Sequence, residues 1–424
     1  MTHTLGPPDV AAVTQVKRAP LGVYANVLGS EAVRRLQELA RPMRGVRVLH
    51  LSISTSGTHH ARTLAAVVPL LAELGLDVRW VVPAQTPGYQ RFAPVLYEAI
   101  EGEDGAWAPE LGELWREYAR NAAKQIDPQS DLVVVHDPQL LGLRHELAGR
   151  LASRGRWVWH CHLDLRDCKP QVYKLLKDEL AGYAGVAVES PDFAGDGELE
   201  TLAVIPPVID PLAARNLELR PTAADTVLRR LGIKRDRPLL VQLSPPDRWD
   251  DPNQIIHTHQ LARNLVNGLQ LALVVNPDTE IRLGDDRTGP LAPATGGDPD
   301  IVLLRSRDIG DVEINALQGA ATVALQHGVR KGFSPTLLEA SWKGRPVLAG
   351  ESGSLSDQVI HGTTGFVVSS QTDAAQRIAQ LVDDPGLADS LGFTGHCFVR
   401  DNHLVTRWVE EYLNLMTLLE LRTR

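Results

Sequence analysis

The chain has 424 residues and a formal net charge of −9. This length allows two or three domains with ample cores. The charge argues against nucleic-acid binding, which relies on basic patches that neutralise phosphates. We find no apolar run long enough to cross a bilayer and no signal peptide, so the sequence predicts a cytoplasmic protein without a membrane partner. Three sparse cysteines, at positions 161, 168 and 397, fit a reducing compartment.

Apolar runs rich in β-branched residues alternate with helical patterns along the chain. This alternation is typical of βαβ units, so we predict α/β domains with parallel sheets. In the first half, apolar spacing predicts a crossover helix at Ala61–Leu74 and a helical insertion within Glu98–Gln125. The strands predicted there are Val46–Ile53, Val78–Val82, Leu132–His136, Arg156–His160, Gly185–Val188 and Ala203–Ile205.

Paired prolines interrupt the pattern at Ile205–Pro211, and this stiff, extended segment predicts an interdomain hinge. We therefore place one domain at 1–210 and a second at 211–402. The second half has a predicted helix at Gln254–Val266, a surface loop at Asp278–Asp300 and an amphipathic helix at His403–Leu419. Its predicted strands are Pro238–Leu243, Leu269–Val275, Ile301–Leu304, Val323–Gln326, Pro346–Ala349 and Gly365–Val368.

Polar residues that follow predicted strands are the first site candidates, because ligands of such sheets bind outside the carboxyl ends of the strands. Gly57, Thr58 and His59 lie between the first strand and its helix, where they form either a ligand-facing loop or an ordinary βα connection. Asp137 follows the strand that begins at Leu132. Its carboxylate either holds a sugar hydroxyl or caps the helix that the next residue, a proline, begins.

His162 follows the strand Arg156–His160 and precedes Asp164. It either faces a ligand or is one of two buried histidines held by backbone carbonyls. A zinc site built from Cys161, His162 and Cys168 lacks a second ligand pair at a suitable spacing, so we predict no metal.

In the second half, the pattern predicts a tight glycine turn that leads into a helix. The turn consists of Arg330, Lys331, Gly332, Phe333 and Ser334. Amide-rich turns and helix N-termini bind anions, and an acid one turn inside the helix, Glu339, suits a sugar hydroxyl.

Two further loops of the second half are candidates for phosphate binding. Arg248 is the only cation of an acidic loop, where it faces a phosphate or pairs with Asp247 or Asp250. Gly353 and Ser354 form a small-residue turn that can present backbone amides to phosphate oxygens.

With Lys343–Leu348 and Gly362–Phe366, the glycine turn resembles the nucleotide-sugar half of retaining glycosyltransferases of the GT-B fold, in which two Rossmann-like domains face each other across a cleft. From about Val46 to the C-terminal helix, the chain is similar to the trehalose glycosyltransferring synthases of glycosyltransferase family 4. The most specific segments are His136–Gln139, Cys161–Leu165, Pro206–Leu212 and Glu313–Gln318. The resemblance implies that the helix within 403–424 packs back on the first domain.

The resemblance also implies the substrates and the roles of individual residues. A nucleoside-diphosphate sugar would be the co-substrate and a small molecule the acceptor, with the α configuration kept, no cofactor and no active-site metal; a homodimer is compatible with it. Asp137 would position the acceptor, His162 would contact the donor sugar near its 6-hydroxyl, and Glu339 would hold the nucleotide ribose. The 57–59 loop would let the backbone approach the diphosphate.

Three positions depart from the family pattern. Pro245 and Asp250 stand where the family has an Arg and a Lys that neutralise the leaving diphosphate, and Lys331 stands where an acid is expected. The available substitutes for the lost donors are Lys331, Arg330, Arg248, Arg62, His59 and the amides of Gly353 and Ser354.

We therefore predict a divergent retaining glycosyltransferase with Asp137, His162 and Lys331 at the reacting centre. The departures suggest an enzyme of specialised metabolism that glycosylates oxygen, nitrogen or sulfur, for example a carboxylate-bearing thiol in antibiotic biosynthesis. The alternative is a catalytically silent homologue that binds a sugar or a partner protein. An epimerase or phosphorylase of the same fold is a third interpretation.

Overall fold

The computed structural model describes residues 12–14, 20–103, 107–150, 155–195, 199–243, 252–275, 297–326, 333–351, 355 and 358–422. The chain divides into two compact units, one of residues 1–207 and 405–424 and one of residues 208–404. Each unit contains one sheet, and helices connect its strands. The predicted α/β class with two parallel-sheet domains is confirmed. The change from the first unit to the second falls inside the predicted hinge segment.

The first unit has a seven-stranded sheet with the order β1-β3-β2-β4-β5-β6-β7. Strands β2 to β7 pair in parallel, and β1, which was not predicted, pairs antiparallel with β3 at the edge. The six predicted strands are present with ends shifted by at most two residues. The strands are Ala12–Thr14 (β1), Arg47–Leu51 (β2), Asp77–Val82 (β3), Leu132–Val135 (β4), Arg156–Cys161 (β5), Gly185–Val188 (β6) and Thr201–Val204 (β7).

The predicted crossover helix is present. The predicted insertion at Glu98–Gln125 contains the helix Pro109–Ala123 but only the end of the helix Tyr89–Ile100, which packs against it and is followed by Gly102. Gly102 has φ +83°, a left-handed backbone that ends a helix at little cost only for glycine. The helices here are Ala25–Leu28 (α1), Ser30–Ala40 (α2), His59–Glu73 (α3), Tyr89–Ile100 (α4), Pro109–Ala123 (α5), Leu143–Glu146 (α6) and Pro170–Glu179 (α7).

The second unit has a six-stranded parallel sheet with the order β10-β9-β8-β11-β12-β13. Its strands agree with the prediction to within one residue at each end. They are Leu239–Gln242 (β8), Gln270–Val275 (β9), Ile301–Arg305 (β10), Val323–Gln326 (β11), Val347–Gly350 (β12) and Gly365–Val368 (β13). Most of the predicted surface loop at Asp278–Asp300 lies outside the described residues.

Helices of the second unit bury apolar side chains against both faces of this sheet. They are Pro221–Arg230 (α8), Pro252–Arg263 (α9), Asp311–Ala320 (α10), Pro335–Trp342 (α11), Gln371–Asp383 (α12) and Pro385–Asn402 (α13). No helix in the described part of the chain is long and apolar enough to cross a membrane.

The last helix, Val405–Leu418 (α14), belongs to the first unit, where it contacts α2, α3 and β7. Its inner face buries Trp408, Tyr412 and Leu413, and Glu410 pairs with Arg35 of α2 at 2.6 Å. The first unit is therefore built from both ends of the chain.

The order of each sheet locates its switch point, where ligands of doubly wound sheets bind. In the first sheet β3 pairs with one edge of β2, and the chain then crosses over so that β4 pairs with the other edge. The switch point therefore lies between β2 and β4. In the second sheet it lies between β8 and β11.

Candidate active site

Three of the predicted site segments meet at the carboxyl edge of the first sheet. Gly57 follows β2, Asp137 follows β4 and His162 follows β5. Strands β2, β4 and β5 are neighbours in the sheet, so their carboxyl ends lie side by side. A narrow cavity at this edge is lined by histidines at positions 59, 60, 136 and 162 and by Glu189.

Asp137 is buried and its carboxylate does not cap the 3-10 helix Pro138–Leu140. Instead, Oδ2 accepts a hydrogen bond of 2.9 Å from the Ile53 amide. Oδ1 lies 3.3 Å from Nε2 of His60 and accepts a weak bond of 3.4 Å from the Tyr97 hydroxyl. The side chain therefore links the ends of β2 and β4, which is not the role that an Asp-Pro cap would have.

His60 and Asp137 lie within ion-pairing distance of each other. Burial lowers the pKa of His60, but the adjacent Asp137 carboxylate outweighs it, so the pKa lies above the ordinary value. Burial likewise raises the pKa of Asp137, but His60 and the Ile53 amide outweigh it, so this pKa is lowered. Asp137 therefore stays ionised, and its oxygens can accept a further hydrogen bond.

A row of hydrogen-bonded side chains runs beside this pair. Glu189 Oε1 lies 2.7 Å from Nδ1 of His162. Nε2 of His162 lies 3.0 Å from Nδ1 of His136, whose Nε2 lies 3.0 Å from Nδ1 of His50. The alternative, in which a backbone carbonyl holds His162, does not agree with the structure. Its two ring nitrogens contact the carboxylate of Glu189 and the imidazole of His136.

The row is neutral at pH 7. Burial lowers the pKa of His50 to about 3 and raises that of Glu189 to about 8. Burial also lowers the pKa of His162 well below its ordinary value, and burial with neighbouring histidines does the same for His136. A neutral imidazole both donates and accepts hydrogen bonds, which suits contact with a sugar hydroxyl.

His160 lies behind this row and is fully buried. Its Nδ1 lies 2.7 Å from the hydroxyl of Tyr412, on α14. Asp164, which follows His162 in the sequence, forms a two-point pair with Arg166, with Nη2 to Oδ2 at 2.7 Å.

The 57–59 loop ends in a capped helix. Gly57 has φ +85°, which disfavours any side chain there even though a Cβ would meet no atom within 4 Å. Thr58 caps α3, since its Oγ1 accepts from the Ala61 amide at 3.2 Å, and the same oxygen lies 3.2 Å from Nε2 of His60. His59 is the first residue of α3 and its side chain lines the cavity.

In the second unit, Glu339 is buried in α11. Its Oε2 accepts a bond of 2.9 Å from Gln318 and lies 3.7 Å from Arg215. Ser334 precedes this helix, but its hydroxyl lies 2.8 Å from Thr336 Oγ1 and does not cap the helix. The ring of Phe333 lies 6.5 Å from that of His403.

The remaining candidates lie outside the described residues. They are Arg248, Arg330, Lys331, Gly332, Gly353 and Ser354, together with the departing positions Pro245 and Asp250. In the sequence, residues 244–251 and 327–332 follow β8 and β11, the two strands at the switch point of the second sheet. Their cations thus belong to segments that leave neighbouring strands.

Comparison with known proteins places the chain in a family. The family model "Trehalose synthase, N-terminal domain" matches residues 50–195, and "Glycosyl transferases group 1" matches residues 306–395. Trehalose synthase of Rubrobacter xylanophilus is 33% identical over 93% of this chain and 96% of that protein. The chain belongs to the trehalose synthase family of glycosyltransferases. Trehalose synthase of Pyrococcus horikoshii is 30% identical, with coverage of 93% and 95%.

Two solved structures of other proteins superimpose on this trehalose synthase family member over most of its length. Trehalose-6-phosphate synthase OtsA superimposes with a TM-score of 0.68 at 12% identity and covers 89% of this chain and 99% of its own. Anabaena HepE in complex with UDP and glucose has a TM-score of 0.63 at 15% identity, with coverage of 88% and 99%.

Glu189, which contacts His162, and His50, which contacts His136, were not selected from the sequence of this trehalose synthase family member. Glu189 directly follows β6, so its position after a strand of the same edge was a usable signal. His50 lies inside β2, where no pattern separates it from a structural residue. His60, the second residue of α3, directly follows the predicted 57–59 loop.

Proposed function

We propose that the chain is a retaining glycosyltransferase that moves a sugar from a nucleoside-diphosphate sugar to a small acceptor. The observation that carries the proposal is the ionised Asp137 paired with His60 at the switch point of the first sheet, beside the neutral imidazole of His162. Family membership supports it, as does the UDP and glucose bound to HepE, a structural neighbour.

Asp137 positions the acceptor and His162 contacts the donor sugar in this proposal. A carboxylate has about four lone-pair positions, so Asp137 can accept from an acceptor hydroxyl while it keeps the Ile53 amide. The Tyr97 contact of 3.4 Å is the weakest of its bonds and the first that an acceptor would replace. Transfer needs no metal and no cofactor.

In the second unit, we propose that Glu339 holds the nucleotide ribose and that Lys331 supplies charge for an anion. A cation beside an oxocarbenium-like centre is unfavourable, so Lys331 must face either the donor diphosphate or a carboxylate on the acceptor. Both assignments agree with an enzyme of specialised metabolism whose acceptor is not a simple sugar, such as a carboxylate-bearing thiol.

The test begins with nucleotide binding. UDP, GDP, ADP and TDP are each added in a thermal-unfolding series, and a nucleotide at a hundredfold its Kd should stabilise the chain by about 2.7 kcal/mol. The matching nucleotide sugars are then assayed for diphosphate release with a panel of acceptors, before and after treatment with a chelator. We expect release that the chelator does not reduce and a product with the α configuration of the donor.

Two outcomes would contradict the proposal. A nucleotide that binds without release from any matching sugar donor would favour the silent homologue. A product of inverted configuration would exclude a retaining mechanism.

The substitution Lys331→Ala distinguishes the two roles proposed for Lys331, contact with the donor diphosphate and contact with an acceptor carboxylate. Weaker binding of the nucleoside diphosphate alone would assign the side chain to the donor, and a raised acceptor KM with unchanged nucleotide affinity would assign it to the acceptor. Lys331→Glu with normal turnover would exclude both.

A further inference from the structure

Three histidines at the carboxyl edge of the first sheet each have one ring nitrogen held by a neighbouring side chain. Nδ1 of His162 lies 2.7 Å from Glu189, and Nδ1 of His160 lies 2.7 Å from the Tyr412 hydroxyl. Nε2 of His136 lies 3.0 Å from Nδ1 of His50. These contacts fix the orientation of all three rings and leave the second nitrogen of each ring for contact with another partner.

The remaining nitrogens lie close together. Nδ1 of His136 and Nε2 of His162 are 3.0 Å apart, and Nε2 of His160 is buried without a hydrogen-bond partner among the described residues. One ring nitrogen from each histidine lies within 4.8 Å of one from each of the others. His160 lies in β5 and His162 directly follows its last residue, and residues two apart in an extended chain place their side chains on the same side.

We propose that His136, His160 and His162 form a binding site for a divalent transition-metal ion, with Zn²⁺ as the best fit. Zinc binds imidazole nitrogen at about 2.0–2.1 Å, so tetrahedral ligands lie roughly 3.3 Å from each other. The His136–His162 pair has to open by only about 0.3 Å from its present separation to reach this spacing. Imidazole ligands select zinc, copper or nickel over magnesium or calcium.

The partners of the outer nitrogens strengthen the inference. A metal-bound histidine almost always donates its second N–H to a carboxylate, a carbonyl or another acceptor, which fixes its tautomer and orientation. Glu189 provides this contact to His162, and Tyr412 and His50 provide it to the other two. Three protein ligands would leave a fourth position for water or a small anion.

Metal binding would replace one hydrogen bond. The hydrogen atom between His136 and His162 must leave when the ion enters, because a ligating nitrogen presents its lone pair. The ion would then bind Nε2 of His162, the nitrogen that Glu189 leaves for the donor sugar, so metal and donor would compete for this side chain. Its test measures metal binding and does not depend on finding the donor or the acceptor.

The experiment uses the untagged full chain, treated with a chelator and then freed of it by gel filtration. Zn²⁺ is titrated by calorimetry, and bound metal is counted by atomic emission after gel filtration. We expect one ion per chain, loss of that ion in His160→Ala and retention in His361→Ala, which changes an exposed histidine of the second unit. A wild-type chain that retains less than about a tenth of an equivalent overturns the proposal, as does His160→Ala with unchanged affinity.

A second variant and one spectrum keep the proposal testable if His160→Ala does not fold. Glu189→Gln should keep one site per chain but bind Zn²⁺ about 10–100-fold more weakly, because glutamine cannot lose a proton to become the anionic acceptor that a metal-bound His162 needs at Nδ1. Unchanged affinity in a folded Glu189→Gln chain counts against the site. X-ray absorption of the wild-type zinc complex should show nitrogen ligands, and a shell dominated by sulfur or by carboxylate oxygen overturns the assignment.

Discussion

Asp137 and Asp131 stand at opposite ends of the same strand and have different surroundings. Asp131 precedes β4, is partly exposed and pairs with Arg47 at 3.0 Å, whereas Asp137 follows β4 and is buried. Only Asp137 lies at the carboxyl edge, where the proposed acceptor binds. The two residues therefore form a matched pair for mutagenesis.

Asp137→Asn should lower kcat/KM of the proposed transfer by about 10–100-fold, since a hydrogen bond to a charged group contributes roughly 1.5–3 kcal/mol. Steady-state kinetics with the donor from the nucleotide screen provide the measurement. Asp131→Asn should leave kcat/KM within about twofold, because it lies at the other end of the strand. Equal kcat/KM for Asp137→Asn and the wild type would remove Asp137 from the proposed mechanism.

Lys343 is a partly buried cation that directly follows the last residue of α11. Its Nζ donates to Gln318 Oε1 at 2.8 Å and to Asn216 Oδ1 at 3.2 Å. Burial lowers the pKa of Lys343 to about 8. A free lysine titrates near 10.4, so between these values the unfolded chain binds more protons than the folded chain.

Stability should therefore rise with pH over that window, by up to about 1.4 kcal/mol per pH unit from this group. Below about pH 8 both states bind the proton and the slope from Lys343 disappears. Lys343→Met should remove this slope, and Lys234→Met, at an exposed position of the same unit, should keep it. Urea unfolding at pH 7.5, 8.5 and 9.5 compares the three proteins, and parallel pH profiles for wild type and Lys343→Met would refute the shift.

Helix α3 begins at the candidate site, so its cap matters for both stability and geometry. Thr58 is the cap residue and bonds the Ala61 amide. Thr58→Ala should reduce the free energy of unfolding by about 1 kcal/mol, and Thr58→Ser should keep most of it. Chemical denaturation provides the values, and a loss in Thr58→Ser as large as in Thr58→Ala would mean that the threonine methyl, not the cap bond, stabilises the helix.

Strands were predicted well because parallel strands buried on both faces are continuous apolar runs. Residues Leu132–Val135 illustrate this, since each of their side chains is fully buried. Edge strand β1 was missed because three residues give no usable period. Most of α4 was missed, because Pro94 lies inside it and a proline argues against a helix interior.

The candidate site was less predictable than the strands. The sequence placed Asp137 and His162 after adjacent strands, which the fold makes neighbours. It left open whether Asp137 caps a helix, since Asp-Pro fits both a cap and a site. The direction of that carboxylate depends on Ile53 and His60, contacts between separate segments that local patterns do not contain. The roles predicted for Lys331 and Arg248 remain predictions.

At the scale of the whole molecule, the first unit depends on α14 from the far end of the chain. Leu413 of α14 is fully buried in the first unit, and Leu381 of α12 is buried in the second. Leu413→Ala should destabilise the first unit by about 2–5 kcal/mol through the cavity it leaves. Leu381→Ala is the matched substitution in the second unit.

Hydrogen exchange followed by mass spectrometry distinguishes the two variants. Exchange should rise in peptides from residues 20–207 for Leu413→Ala and in peptides from residues 208–404 for Leu381→Ala. The same exchange pattern in both variants would show that the two units unfold together.

The return of α14 to the first unit has a consequence for biosynthesis. Domains generally fold as they emerge from the ribosome, N-terminal first. Here the segment that buries Trp408, Tyr412 and Leu413 is translated after the whole of the second unit. The first unit to be translated is therefore the last to complete its core, and the apolar surface that α14 covers stays exposed on the nascent chain until the whole second unit has been translated.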